Sequence, residues 1–256
     1  MRVAYDNADV FLRWQANSYF DFEGEQSEEL DRRVGAFLAW HRASALPQYA
    51  RLAEETARRI VQGITRADLV WSYDSFRAQV REGVRAAAGE MAGLLDRLGP
   101  GQIDHLERRL AEENRKFSKE QLQGTVEERR KRRHRRTLER LEEWFGPLSG
   151  EQAARVARYG ERAPLIAEMR ERERRRRQAE FVAMLRAREA QRSLADWAAH
   201  WEGGRDAAYA AAARENESLY FDMLLDLDRL LTPAQREAAA ARLRQYAADF
   251  TALARR

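Results

Sequence analysis

Two runs of basic residues stand out for their chemistry in this 256-residue chain: Arg129-Arg130-Lys131-Arg132-Arg133-His134-Arg135-Arg136, and Arg170-Glu171-Arg172-Glu173-Arg174-Arg175-Arg176-Arg177. A guanidinium group is a planar, permanently charged fork of donors that matches carboxylates and phosphates. Runs of this kind therefore suit a polyanionic partner. Both lie inside helical patterns. The first is flanked by Val126, Leu138, Leu141 and Phe145, and projecting that stripe backwards at a spacing of four puts Arg130 and His134 where core residues belong. For about two turns this helix has no apolar face. The second run interrupts another helix in the same way, between Met169 and Phe181.

Both gaps lie about 20 residues from residue 153, so a hairpin folded there would bring them level at a rise of ~1.5 Å per residue. Two such zones repel each other unless they project into water or line a groove that meets an anion. An acidic block, Asp21, Glu23, Glu25, Glu28, Glu29 and Asp31, contains no basic residue and offers partial relief from within the chain. The candidate partner-binding residues are Arg129, Arg130, Arg132, Arg133, His134 and Arg136 from the first zone, and Arg170, Arg174, Arg175 and Arg177 from the second. Acidic polypeptide, lipid headgroups or an anionic envelope polymer would suit them. Nucleic acid fits less well, because no groove-reading motif is present and no aromatic residue interleaves either run. A solvated stretch of protruding helix would read the same way.

Catalytic patterns are missing. His41, His105, His134 and His200 are scattered, and no His-Glu-x-x-His or Glu-x-x-His pair sets ligands on one helical face. Asp196 and His200 are four apart and read as a surface ion pair. With no cysteine there is neither a disulfide nor a thiolate site. There is no glycine-rich phosphate loop and no Gly-x-Ser-x-Gly elbow. The expectation is a non-enzymatic protein without metal or cofactor. Trp14, Trp40, Trp71, Trp144, Trp197 and Trp201 sit at or beside apolar stripes and read as core anchors.

The elements that position the arginines are helices. Only 14 Gly and 5 Pro are present and hairpin turn signals are absent, while Ala, Leu, Glu, Arg and Gln dominate. The periodicity predicts helices over about 3–20, with Val10, Phe11 and Trp14 inward, then from 26 to a boundary at Pro47, and over 48–62. Thr65 and Asp68 mark the cap of the next, followed by helices at 102–123, 125–145 and 150–159. A long helix runs from Pro164 towards Trp201, and two more cover 206–230 and 233–254. The fold expected is all-α, an elongated bundle of about eight or nine helices with long antiparallel hairpins, forming a single domain over residues 1–256.

Several helix starts share a pattern: Leu98-Gly99-Pro100-Gly101-Gln102, Leu148-Ser149-Gly150-Glu151-Gln152 and Leu231-Thr232-Pro233-Ala234-Gln235. Phe117-Ser118-Lys119-Glu120-Gln121 is a looser copy, and Phe22 to Gln26 keeps only the apolar residue and the glutamine. Physically this is a capping box: Ser149 or Thr232 accepts from the third backbone N–H, and Gln152 or Gln235 reaches back to the cap. Every copy chooses Gln where Glu would serve. The spacings, 102 to 152 and 152 to 235, are irregular, so this is no solenoid.

These starts resemble the motif of the periplasmic LTxxQ family, typified by small Spy-like chaperones, dimeric cradles with a basic concave face. The N-terminal third, through Tyr5, Trp14, Tyr19, Asp21, Gln26, Trp40-His41-Arg42 and Leu46-Pro47-Gln48-Tyr49, resembles a bacterial lipoprotein family of unknown function. That second resemblance implies a lipidated cysteine upstream of Met1, an anchor on the periplasmic side of an envelope membrane, and contact with polypeptide or another envelope component.

Overall fold

The structure is a computed structural model and describes residues 5–255. Among them it is all-α. Eleven α-helices follow in order: α1 (Ala8–Phe20), α2 (Glu25–Trp40), α3 (Leu46–Gln62), α4 (Arg66–Leu95), α5 (Pro100–Gln121), α6 (Val126–Phe145), α7 (Gly150–Arg162), α8 (Ala167–Arg186), α9 (Ala190–Ala199), α10 (Ala207–Asp228) and α11 (Pro233–Ala254). The number exceeds the eight or nine expected, even though α2 and α3 form one unbroken rod. A π-helical turn, His41–Ala45, joins them, and Leu46 keeps helical angles of φ −58° and ψ −40° directly before Pro47. Proline disfavours that conformation in its predecessor, and its missing N–H and its ring disrupt an α-helical ladder. The wider π turn accommodates both here, and α3 starts beside the expected boundary, with Pro47 in its first turn.

The long helix expected from Pro164 to Trp201 is in fact two. It breaks at Arg188, whose φ is +55°. The second piece starts where the Asp96 carboxylate, at the far end of α4, accepts the N–H groups of Ala190 (2.7 Å) and Gln191 (3.0 Å). A cap supplied from 94 residues away leaves no local signal. Phe117 to Gln121 is not a helix start either but the last turn of α5. Ser118 turns its hydroxyl to the Asn114 carbonyl, and Gln121 accepts from Arg136.

Three apolar clusters hold the helices. The largest gathers α2 (Leu30, Val34, Leu38), the end of α4 (Leu94, Leu95), α5 (Ile103, Leu106) and α8–α9 (Leu185, Leu194), with Phe22 and Leu98 from the turns. A second joins α6, α7 and α10 through Leu141, Val156, Tyr159, Met223 and Leu227. Along the third, α11 lies on α3 through Ala50, Ala53 and Ala247, small residues that let two backbones approach closely.

Against this core, α1 is turned from its expected orientation. It packs through Ala8, Leu12, Ala16 and Phe20, while Val10, Phe11 and Trp14 are 57%, 57% and 63% exposed. Both stripes are apolar, and the turn that buries Phe22 selects the one continuous with Phe20. The other tryptophans are half-buried, and of these Trp197 packs against the largest cluster. Four of them carry a guanidinium on the ring: Arg59 over Trp71, Arg177 over Trp197, Arg81 over Trp201 and Arg242 over Trp144.

Candidate binding cleft

The glutamines of the helix starts meet in two pairs. Gln152 Nε2 donates to Gln235 Oε1 (2.8 Å), and Gln235 Nε2 donates back to Gln152 Oε1 (3.1 Å). Gln102 and Gln26 do the same, at 2.7 Å and 3.3 Å. At three of these starts the Oε1 also accepts from its own cap, the N–H of Ser149, Thr232 or Gly99. The remaining amide hydrogen goes to a carbonyl where the opposite chain turns, Leu230 for Gln152, Pro147 for Gln235, Phe20 and Asp21 for Gln102, and Arg97 for Gln26. An amide can donate and accept at once, whereas two facing carboxylates would repel and offer no donor. Hence Gln at the four paired positions, Gln26, Gln102, Gln152 and Gln235. Each pair fastens one helix turn to another: α1/α2 to α4/α5, and α6/α7 to α10/α11.

The second pair sets α6, α7 and α10 around a cleft that also takes the start of α8. One end is lined by Arg129, Arg132, Arg133, Arg136, Arg140 and Arg170, against a single carboxylate, Glu120. It continues, past Thr137, Tyr159, Ile166, Asn216 and Tyr220, into a volume of about 820 Å³ reaching Tyr73, Arg77, Arg205 and Arg214, where Glu202 and Glu217 lie. Arg129, Arg133, Arg136 and Arg140 follow one face of α6 for about 16 Å at the helical rise. Among the described residues no carboxylate is paired with Arg136, Arg140, Arg170 or Arg214. Glu202 is held by Arg77, Arg81 and Arg205.

Not every arginine of the first zone is free to meet a ligand. Arg133 donates to the carbonyls of Gly160 (2.5 Å), Ala163 (2.8 Å) and Pro164 (2.9 Å), closing the C-terminus of α7. Burial pushes its guanidinium below the usual arginine range, and the helix-end dipole opposes that loss of charge. Arg130 donates to the Glu161 carbonyl, Arg132 to that of Gln123, and Arg129 pairs with Glu168, whose carboxyl its hydrogen bond holds below the ordinary value. His134 packs on Gly160 and its Nδ1 is buried without a partner. Arg133, His134 and Arg130 thus meet the end of α7 where the apolar stripe of α6 is interrupted.

The second zone disperses. Only Arg170 reaches the cleft. Arg174 donates to Asn114 Oδ1 (2.7 Å) over the Phe117 ring, Arg175 pairs with Glu171, and Arg177 donates to the Trp197 carbonyl from above its ring. The two zones do not stand level in one hairpin, since α6 packs on α7 whereas α8 runs antiparallel along α5. The acidic block does not relieve them either. Glu29 takes Arg32, Arg33 and Arg97, and Asp31 takes Arg13. His200 hydrogen-bonds the Asp196 carbonyl, while the Asp196 carboxylate faces Arg85 at 3.6 Å, so the expected pair between these two side chains does not form.

Sequence reasoning stopped the first zone at Arg136. The same i, i+3, i+4 spacing carries on to Arg140, a signal that was there to be read. Arg214, Asn216 and Tyr220 come from α10, and only tertiary folding brings them in. Burial raises the Tyr159 and Tyr220 hydroxyls above the usual tyrosine range, so both remain neutral, and Tyr159 donates to Asn216 Oδ1 at 3.1 Å. No group of His, Asp and Glu among the described residues is arranged to hold a metal ion, and no described helix is long and apolar enough to cross a membrane.

Residues 18–202 match a Family of unknown function (DUF6279). The chain belongs to that family. No curated protein and no solved structure matches it. The family match takes in both arginine zones, Gln26, Gln102 and Gln152, and ends before Gln235, Asn216 and Tyr220. One side of the cleft and one member of the second glutamine pair therefore come from outside the matched region.

Proposed function

We propose that this protein of the DUF6279 family is a non-enzymatic binding protein of the bacterial envelope that holds non-native or partner polypeptide on an elongated helical frame, without ATP. The observation that carries the reading is the cleft: Arg136, Arg140 and Arg170 face it without a carboxylate of their own, beside an apolar strip of Leu165, Ile166 and Tyr220. Unpaired guanidinium groups attract an acidic chain over ~8–10 Å at physiological salt, and the apolar strip adds burial that a simple ion exchanger lacks. The periplasmic, lipid-anchored setting and the kinship with Spy-like chaperones rest on the residues quoted above for those resemblances.

The test is aggregation of a chemically denatured client, followed by light scattering, with substoichiometric protein and no nucleotide. Suppression is expected, and the triple variant R136E/R140E/R170E should abolish it. No protection at several-fold excess overturns the proposal. A second reading, an adaptor for an anionic envelope polymer or lipid, draws on the same unpaired arginines. It gains if anionic vesicles or polymer are bound, steeply weakened by salt, while clients are not protected.

A further inference from the structure

We infer that the cleft selects one kind of polypeptide segment, an extended stretch in which acidic residues alternate with apolar ones; this rests on the polypeptide-binding reading above and narrows it. The row Arg129, Arg133, Arg136 and Arg140 presents cations one helical turn, about 5.4 Å, apart along ~16 Å of α6. Its far end is the freer one, because Arg129 and Arg133 are engaged with Glu168 and the end of α7, while Arg136 has only the Gln121 amide. Same-side residues of an extended chain lie ~6.6–6.8 Å apart, and arginine stems are long enough to absorb the difference.

Beside that row the cleft is also lined by Leu165, Ile166 and Tyr220, and by Pro164 and Tyr159, which Arg133 itself contacts. An extended segment sends alternate side chains to opposite sides. Its acidic residues would meet the arginine row and Arg170, and the residues between them would cover the apolar strip. Asn216 and the neutral tyrosine hydroxyls, which line the same space, are placed to hydrogen-bond a main chain. A bare polyphosphate or nucleic acid satisfies the arginines but leaves the apolar strip uncovered. A blocked acidic run satisfies one wall for only part of its length.

Fluorescence anisotropy with the full chain tests this, using two labelled 12-residue peptides of identical composition. In one, glutamate and valine alternate; in the other, six glutamates precede six valines. Inorganic polyphosphate is the competitor. Alternation is expected to bind about ten-fold more tightly than the blocked peptide. R140S/R170S should lower that affinity about ten-fold, and L165S should remove most of the preference for alternation while leaving competition by polyphosphate unchanged. Circular dichroism shows whether each variant is folded, and the exposed positions Arg140 and Arg170 form no ion pair among the described residues whose loss would unfold the chain. Equal affinity for the two peptides, or polyphosphate displacing both at lower concentration than unlabelled alternating peptide, overturns the inference. If neither peptide binds while denatured clients are still protected, the inference falls and the broader reading stands; if clients are not protected either, both fall.

Discussion

The two glutamine-linked assemblies of this protein use one device in different surroundings. In the N-terminal one, Gln26 and Gln102 join the α1/α2 and α4/α5 turns above the largest apolar cluster, and both glutamines are only half-buried. In the C-terminal one, Gln152 is 2% exposed, the apolar cluster beneath is smaller, and its neighbours in space are the arginines of the cleft. A core with fewer apolar residues leans more on its polar fastening. The glutamine pair belongs to the architecture and is repeated, whereas the cleft occurs once, lined by α6, α7 and α10 of the C-terminal assembly together with Glu120, Gln121 and Arg170 from helices of the other. Arginine there does two jobs: Arg133 substitutes for core by closing a helix end, and Arg136, Arg140 and Arg170 stay available.

Substitutions can break this contrast in order of size. The largest effect is expected from Gln152→Glu, which puts a carboxylate in a buried site opposite the Gln235 carbonyl oxygen and removes the donor to Leu230. A loss of about 3–5 kcal/mol in urea unfolding is expected at pH 7. The buried site raises the pKa of the introduced acid, so the deficit should shrink as pH falls through that folded value towards the unfolded ~4.3. A deficit independent of pH would rule out the charge as the cause. Arg133→Ala strips three carbonyls of their donor and should cost about 2–3 kcal/mol. If it costs no more than Arg140→Ala, the helix-end role assigned to Arg133 is wrong. Gln102→Glu, in the wetter pair, should cost about 1–2 kcal/mol, and an effect equal to that of Gln152→Glu would erase the difference between the two assemblies. R140S/R170S should stay within about 0.5 kcal/mol of the parent while client binding falls, which separates binding from folding.

A smaller signature belongs to the N-terminal assembly. His41 sits among Tyr5, Phe37, Trp40 and Tyr49, accepts from or donates to the Tyr5 hydroxyl at 2.8 Å, and is held below the usual histidine range by burial and by Arg42. The unfolded chain therefore takes up the proton first. Stability should be full above ~6.5 and decline as pH falls from there to the lowered folded value. His41→Gln should flatten this slope, read by thermal unfolding across pH 5 to 8, and an unchanged slope would show that His41 does not titrate between the two states.

Much of the fold was legible locally. Capping boxes at Thr65, Ser149 and Thr232 form as expected because their partners lie three residues away, and the helix over 233–254 has the limits read from its sequence. What failed were features whose cause is remote. The break after Arg186 depends on Asp96, the orientation of α1 on which of two apolar stripes continues into Phe22, and the partners of each arginine on which helix end or ring it meets. The choice of glutamine was visible as a preference without a reason until the second copy was in place opposite the first.

The sequence by itself determined that the chain is helical and where most helices begin, since these follow from interactions within a turn or two, while it left open whether Arg130 and His134 meet a neighbouring helix or solvent. Only the tertiary structure decided which starts pair, that the second arginine zone disperses while the first borders a cleft, and that Arg214, Asn216 and Tyr220 complete that cleft. A charge run fixes how much cation a helix carries. Which of those cations remain unpaired depends on carboxylates and carbonyls brought from elsewhere in the chain, and no local pattern encodes them.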